Sequence, residues 1–463
     1  MKKRQEKKTI NLFQGNILQI SLAIITLLIT VGSIIAYILG NEYDTNGIIG
    51  TVVILILMFF CVYFYCYTQK KELIDSKNTL LLLFFTYVVI FIPFILISNV
   101  SYYLMPIVIG AMLIALLLDI QLAIIINGFY AIMASLLTLE FNWEVLVFYL
   151  VYGTIAALII NQTKLRRNIV WVALTLMGVN ALLILSISLI NNVSVFEVDI
   201  LYGVLNAGFS VIITLGSLPL WEALFDVVTP LKLLELSNSN QKLMQRLLIE
   251  APGTLHHSQL VANLSETATT DIGGDYLLAR AGALYHDIGK LKNPNMFKEN
   301  QSGENPHDDF EPEKSARIII DHVEYGVKLA KDFKLPKNIR NIIQQHQGTT
   351  LVKYFYYKAK ENNPQELVKE EDYRYSGPIP QTNEAAVVML ADSVEAAVRC
   401  IPQNEKNLEK IEEVIQKIIK MKLDEGQLDK SELKIKELTT ISNAFLKVYK
   451  GMYHERIDYP KEA

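Results

Sequence analysis

Cysteine, charge and histidine are all scarce in this chain of 463 residues, and each scarcity excludes something. The three cysteines, Cys61, Cys66 and Cys400, are too few and too scattered for a disulfide framework. Only 19% of residues are charged, against roughly 25% in an average soluble domain. With 51% hydrophobic residues, the chain is too apolar for an ordinary two-domain cytosolic enzyme and too apolar to be disordered. A formal net charge of -4 gives no global basic field, so no nucleic-acid polymer is expected as a partner. Seven histidines occur, and none precedes position 256.

The apolar residues are concentrated in the first half. From Thr79 to Leu139 the only ionisable acid or base, tyrosine apart, is Asp119, whereas Lys and Glu dominate from Asn404 to Lys450. A membrane half therefore joins a soluble half, with the change near Trp221 to Asn240. A spanning helix needs about 20 mostly apolar residues. Eight such segments read at 17–40, 48–67, 79–98, 104–118, 121–137, 144–161, 168–190 and 200–221. The fourth and fifth are short and separated only by Asp119, Ile120 and Gln121, so they read as two tilted spans or one re-entrant pair. Asp119 itself reads as an interfacial loop residue or a buried partner. The first apolar stretch is too long for a cleavable signal peptide.

Basic residues in short loops set orientation. Lys2, Lys3, Arg4, Lys7 and Lys8 precede the first span, Lys70, Lys71 and Lys77 join the second to the third, and Lys164, Arg166 and Arg167 join the sixth to the seventh. The loops of opposite parity, Asn41–Gly47, Asn99–Tyr103, Glu140–Glu144 and Asn191–Asp199, hold no Lys or Arg. Eight spans satisfy this alternation. The expectation is a multi-pass protein of the cell membrane, embedded in the lipid bilayer, with its N-terminus and its soluble half in the cytoplasm.

Beyond 250 the apolar residues recur at helical spacing over 254–270, 276–289, 313–332, 337–346, 382–400, 404–424 and 431–450, with little strand-like alternation. The fold class is all-α: a polytopic helical membrane domain followed by an all-α cytoplasmic domain. Six of the seven histidines, His256, His257, His286, His307, His322 and His346, fall in the first part of that domain. His257, His286, His322 and His346 sit on expected helices, and Asp392 follows on another. Imidazole and carboxylate together suit divalent metals such as Mn, Fe and Zn. Asp287, next to His286, can bridge two ions, and two ions ~3.5–4 Å apart can activate water and clamp phosphoryl oxygens. Lys290 lies three residues beyond Asp287 on the same helical face. It reads as an ammonium facing a phosphate, or as a helix-end lysine favoured by the dipole.

The words around these residues are more specific than the spacing. Ala251-Pro252-Gly253-Thr254-Leu255-His256-His257-Ser258, Tyr285-His286-Asp287-Ile288-Gly289-Lys290, Glu299-Asn300-Gln301, Asn305-Pro306-His307-Asp308, Arg374-Tyr375-Ser376-Gly377-Pro378 and Leu390-Ala391-Asp392-Ser393-Val394-Glu395-Ala396-Ala397 all occur in order. Together they resemble the seven-transmembrane HD family of bacterial cyclic di-AMP phosphodiesterases, from about residue 48 to the end. The resemblance implies hydrolysis of cyclic di-AMP to the linear pApA by two divalent metal ions, Mn or Fe. It implies His257, His286, Asp287 and Asp392 as ligands of the first ion and Asp287, His322 and His346 as ligands of the second. It gives Asp287 and Lys290 catalytic roles, with Lys290 and His307 as substrate contacts. The implied domains are an anchor span with a short external loop over 1–47, a seven-span membrane domain over 48–221, a linking helix over 222–250, an HD phosphohydrolase core over 251–403 and a helical extension over 404–463.

Two departures stand out. The family usually carries a large extracellular sensor domain between its first and second spans, where this chain has only about Asn41 to Gly47. Its common His-His pair here reads His346-Gln347, which predicts a weaker second metal site if position 347 faces that ion. Competing readings are an HD hydrolase of another nucleotide, such as cyclic di-GMP or an alarmone, and a nucleotide-binding membrane receptor with little activity. Gly348-Thr349-Thr350 follows Gln347 where the cyclic di-GMP branch has a Gly-Tyr-Pro word, which argues against that branch.

Overall fold

The computed structural model describes residues 21–22, 24–32, 45–98, 100–136, 141–162, 168–194, 197–362 and 368–452. The basic N-terminus, most of the first expected span, the turn with Lys164, Arg166 and Arg167, and His454 lie outside the described residues. No strand occurs among the described residues, and one isolated antiparallel bridge joins Leu351 to Arg374. The chain divides after Thr229 into two compact units.

The first unit contains α1 (Thr45–Gln69), the short α2 (Lys71–Asp75), α3 (Lys77–Ser98), α4 (Val108–Leu117), α5 (Ile120–Leu136), α6 (Trp143–Asn161), α7 (Ile169–Ile190) and α8 (Glu197–Phe225). Residues 24–32 are also helical. Among the described residues, five stretches are long and apolar enough to cross a membrane: Asn46–Gln69, Lys77–Ile97, Trp143–Asn161, Ile169–Ile190 and Glu197–Phe225. Two shorter apolar stretches, Tyr102–Leu117 and Ile120–Leu136, fall where the fourth and fifth segments were expected.

Large apolar side chains in this unit face outward as well as inward, and small and amide side chains share its interior. Phe60, Leu96, Trp171, Leu182 and Leu189 point outward, while Ala123, Asn127, Ala156, Ala157, Asn180 and Asn206 are buried. Lipid is as apolar as leucine, so helices associate instead through small residues and interhelical hydrogen bonds. Three buried asparagines make such bonds. Asn127 Nδ2 donates to the carbonyls of Tyr149 (3.1 Å) and Leu150 (3.2 Å), and Asn180 Nδ2 to that of Gly203 (2.9 Å). Asn206 Nδ2 donates to the carbonyls of Tyr103 (2.7 Å) and Met105 (3.1 Å).

Side-chain contacts also identify the two ends of the bundle. Lys70 Nζ lies 3.0 Å from Asp119 Oδ2, so the turn between α4 and α5 sits with the basic turn after α1. Asp119 Oδ1 also accepts from the Gln121 and Leu122 N–H groups (both 3.0 Å), capping α5. Asn78 Nδ2 donates to the Phe225 carbonyl (3.1 Å), bringing the end of α8 to that same end. At the opposite end Tyr149, near the start of α6, donates to the Met105 carbonyl (3.1 Å), just ahead of α4. The turn at Asp119 thus lies at the basic end of the bundle, while the start of α4 lies beside the start of α6 at the other.

The second unit contains α9 (Pro230–Leu236), α10 (Lys242–Glu250), α11 (Pro252–Asp271), α12 (Tyr276–Tyr285), α13 (Pro312–Asp332), α14 (Lys337–Gln345), α15 (Lys353–Asn362), α16 (Asn383–Arg399), α17 (Leu408–Asp424) and α18 (Ile435–Met452). Of the expected linking segment 222–250, the part up to Phe225 belongs to α8, and α9 and α10 belong to the second unit. There Leu233, Leu236, Leu243, Met244 and Leu247 are buried, and Tyr285 donates to the Leu236 carbonyl (2.9 Å). The helix expected over 276–289 stops at Tyr285 and continues as a 3-10 segment over Ile288–Lys292. The cause is a close crossing: a Cβ on Gly289 would lie 1.7 Å from the His322 carbonyl oxygen. That contact holds the segment beside α13.

Asn206→Leu is expected to destabilise the purified chain in detergent by about 1–2 kcal/mol, near the upper range for hydrogen bonds inside membranes. Thermal unfolding followed by circular dichroism measures it, and an unchanged midpoint would mean that these bonds do not hold α8 to the segment before α4.

Candidate metal centre

Five elements deliver the donors to one point. His257 comes from α11, His286 and Asp287 from the break after α12, His322 from α13, His346 from the end of α14 and Asp392 from α16. All six are buried, with Asp392 the most open at 8% exposure. Two groups form, His257, His286, Asp287 and Asp392 in one, and Asp287, His322 and His346 in the other. Within each group the donor atoms lie within 4.8 Å of one another.

Asp287 belongs to both because its two oxygens face different ways. Oδ2 lies 3.4 Å from His257 Nε2 and 3.2 Å from His286 Nε2. Oδ1 lies 3.3 Å from His322 Nε2 and 3.6 Å from His346 Nε2. Asp392 Oδ1 completes the first group, 3.1 Å from His257 Nε2 and 3.7 Å from His286 Nε2. A tetrahedral or octahedral shell with bonds of ~2.1 Å has donor–donor edges of about 3.0–3.4 Å, so these spacings fit cations.

The imidazoles are oriented by their other nitrogen. Nδ1 of His286, His322 and His346 donates to the carbonyl three residues earlier, Ala283 (2.6 Å), Ile319 (2.6 Å) and Ile343 (2.8 Å). A carbonyl only accepts, so each Nδ1 carries hydrogen and Nε2 is turned toward Asp287. For His286 and His346 these carbonyls lie in the last turns of α12 and α14, where no intrahelical donor reaches them. His257 differs: its Nδ1 meets a side chain, the Glu395 carboxylate. His257 Nε2, His286 Nε2 and Asp287 Oδ1 are buried without a well-aligned hydrogen-bond partner, the expected state of atoms that ligate a metal.

Lys290 stands where its spacing placed it, on a 3-10 segment instead of an α-helix. Its Nζ lies 2.7 Å from Asp287 Oδ2 and 2.6 Å from Glu299 Oε1. Glu299 is fixed by its neighbour Asn300, which accepts from the Thr254 N–H (3.1 Å) and donates to the Thr254 hydroxyl (2.8 Å) at the start of α11. Phe297 packs its ring 5.0 Å from Lys290 Nζ and 5.8 Å from the His322 ring, and Tyr375 stacks edge-on to His322.

Two sequence expectations change. His307 is not at the centre: its Nε2 donates to the Met296 carbonyl (2.8 Å) and its ring packs on Phe355, so it braces the loop that carries Phe297. Gln347 reaches the first group, not the second, because its Nε2 donates to Asp392 Oδ2 (2.8 Å). Glu299 and Glu395 had no role assigned from sequence. Glu395 lies three residues after Asp392 on one face of α16, a spacing that could have marked it.

Burial opposes charge in every group here, and the partners decide the outcome. Burial disfavours the Asp287 carboxylate, yet attraction to His286 and Lys290 holds its pKa well below the usual value. Asp392 is likewise held well down, against burial, by His257 and His286. Burial works against the His286 imidazolium, but Asp287 and Asp392 push its pKa up to about 9. Burial, with a contribution from the His286 imidazolium, outweighs Asp287 at His346, whose pKa falls to about 4. The centre therefore holds anionic carboxylates that recruit positive charge, together with a neutral His346.

Comparison with known proteins gives a consistent picture. The family described as 7TM receptor with intracellular HD hydrolase matches residues 45–229, and the HD domain matches 254–397. The cyclic-di-AMP phosphodiesterase PgpH of Bacillus subtilis (strain 168) is 41% identical over 374 residues, 79% of this chain and 52% of the relative. PgpH of Listeria monocytogenes serotype 1/2a (strain 10403S) is 39% identical over 384 residues, 81% of this chain and 52% of the relative. The chain thus spans about half the length of the curated relatives it matches. The crystal structure of the L. monocytogenes PgpH HD domain in complex with cyclic-di-AMP is 47% identical, with a TM-score of 0.45, covering 47% of this chain and all of that one. An HD domain implies divalent-metal binding, and the two donor groups are where this chain could hold metal.

Metal uptake should be pH-dependent. Ligation needs neutral imidazole, and His286, with its pKa raised to about 9, is protonated at neutral pH before metal binds. Mn²⁺ affinity is expected to rise from pH 6 to pH 9, with proton release at pH 7. Calorimetry in buffers of different ionisation enthalpy measures this, and binding without proton release would refute it. Glu395→Gln keeps the shape but removes the charge behind His257, and should weaken Mn²⁺ binding about 10–100-fold. Unchanged affinity in that variant would leave Glu395 no part in the centre.

Proposed function

The chain belongs to the family of 7TM receptors with an intracellular HD hydrolase, and on that premise we propose that it hydrolyses cyclic di-AMP to pApA, using two divalent ions, Mn or Fe, at the Asp287 centre. One observation carries the proposal: a buried carboxylate turns one oxygen to each of two donor groups. The curated relatives, named cyclic-di-AMP phosphodiesterases, supply the substrate.

Bound there, two divalent ions supply Lewis acidity toward phosphoryl oxygens and a water of lowered pKa. The residues of the chain do the rest. Asp287 joins the two groups, and the four imidazoles present Nε2 because Nδ1 is occupied. The Lys290 ammonium, paired with Asp287 and Glu299 and 13% exposed, stands beside the centre, where it can meet a phosphoryl oxygen of the substrate. Phe297 and Tyr375 wall the centre beside His322, which limits water around the reacting phosphate. Water adds across one of the two phosphodiester bonds, leaving a 5′-phosphate and a 3′-hydroxyl on the opened dinucleotide.

The proposal places the N-terminus and the HD domain in the cytoplasm. The end of α8 lies at the end of the bundle that carries Lys70, Lys71 and Lys77. Basic turns favour the cytoplasmic face, so the chain leaves the membrane on that side.

Purified full-length protein with Mn²⁺ should convert cyclic di-AMP to pApA and turn over cyclic di-GMP far more slowly, with products resolved by chromatography. Asp287→Ala should lose both metals and reduce hydrolysis to background while retaining its helical circular dichroism. Turnover at the wild-type rate in that variant would put the reaction elsewhere.

A further inference from the structure

We propose that Lys422 and Gln427, at the end of α17 and just after it, are positioning residues for the metal centre, holding the turn that carries His346 and Gln347. Both lie beyond residues 254–397, the stretch that matches the HD domain. The inference rests on the metal-centre reading above and adds the C-terminal helices to it.

The first observation is a charge in an apolar row. Ile411, Ile415 and Ile419 run along the buried face of α17, and Lys422 continues that row at 2% exposure. An ammonium there is costly unless it is paired. Burial pushes its pKa down, and attraction to Asp392 opposes that fall. Its Nζ donates to the Thr350 hydroxyl (2.8 Å). An isoleucine or methionine would pack in this position without the cost, so packing alone does not explain a lysine.

The second observation is Gln427, also 2% exposed. Its Oε1 accepts from the Thr349 N–H (3.0 Å), and its Nε2 donates to the Thr349 hydroxyl (3.0 Å). It fits because Gly348 has φ +54° and no side chain: a Cβ there would lie 2.3 Å from Gln427 Oε1. Lys353 Nζ, 2.9 Å from Glu425, closes the same junction. From the other side Arg374 donates to the Thr349 carbonyl (2.8 Å), and the Tyr375 N–H to the Thr350 carbonyl (3.1 Å).

The turn so gripped, residues 347–350, directly follows His346. Gln347 on it donates to Asp392, and His346 faces Asp287 Oδ1. One clamp thereby sets a ligand of each donor group. Removing it leaves the ligands present but loosely placed, and outer partners of this kind typically cost 10–100-fold in metal affinity when lost.

The test uses the full chain in detergent and Mn²⁺ alone as the probe, titrated by calorimetry, with far-UV circular dichroism to confirm folding. Lys422→Met and Gln427→Met should each weaken Mn²⁺ binding about tenfold, and hydrolysis should fall at limiting Mn²⁺ and recover at saturation. Because Lys422 acts through Thr350, adding Thr350→Val to Lys422→Met should weaken binding no further. Folded variants that bind Mn²⁺ as tightly as wild type, even with a lowered melting temperature, would overturn the inference and leave these residues a packing role. If Lys422→Met loses its helical signal, Gln427→Met, which leaves Lys422 and its bond to Thr350 in place, decides alone. A wild-type chain that takes up no Mn²⁺ would sink the metal-centre reading and this inference together, whereas unchanged affinity in the variants would sink the inference only.

Discussion

The soluble half depends on a single carboxylate facing two ways. Asp287 sits where α12 breaks, between donors brought from α11, α13, α14 and α16, and each of its oxygens meets two imidazoles. Such a convergence of buried charge is unfavourable without compensation. The surroundings therefore read as a set of compensations: Lys290 on Oδ2, Glu299 behind Lys290, Glu395 behind His257 and Gln347 on Asp392. The close crossing at Gly289 keeps the break in α12 beside α13 and so keeps the carboxylate within reach of His322. The packing of five helices is in this sense organised around one side chain.

The membrane half meets a different constraint. With no hydrophobic drive between helices in lipid, its specificity comes from asparagine amides that reach backbone carbonyls of neighbouring segments. Asp119, the one acid of the 79–139 stretch, caps α5 and pairs with Lys70. The acid is a marker of the bundle's basic end and fits the interfacial loop reading of its sequence context.

Much of this was legible in the sequence, for identifiable reasons. Apolar run length found the five membrane-length helices among the described residues, because lipid imposes length directly. Period-3.6 patterns found α11, α13, α14, α16, α17 and α18 within a few residues, because each buries one face. The six donors were readable because His-Asp adjacency and the words around it are local. What escaped was non-local. Glu299 meets Lys290 at a sequence separation of nine, and Gln347 meets Asp392 at one of forty-five. His307 was expected to contact substrate because of its His-Asp adjacency, and its bond to the Met296 carbonyl and its packing on Phe355 are contacts that adjacency does not reveal. The end of α12 was missed because the crossing with α13 that breaks it is invisible to periodicity.

The means of orienting the imidazoles has an evolutionary consequence. Three of the four are locked by the chain's own backbone carbonyls, which no substitution of a neighbouring side chain deletes. Drift around His286, His322 and His346 leaves their tautomer intact as long as the helices stand. His257 alone is backed by a replaceable group, Glu395. Among the four imidazoles, then, selection can retune by substitution of a backing side chain only His257, through position 395, while the other three are effectively hard-wired.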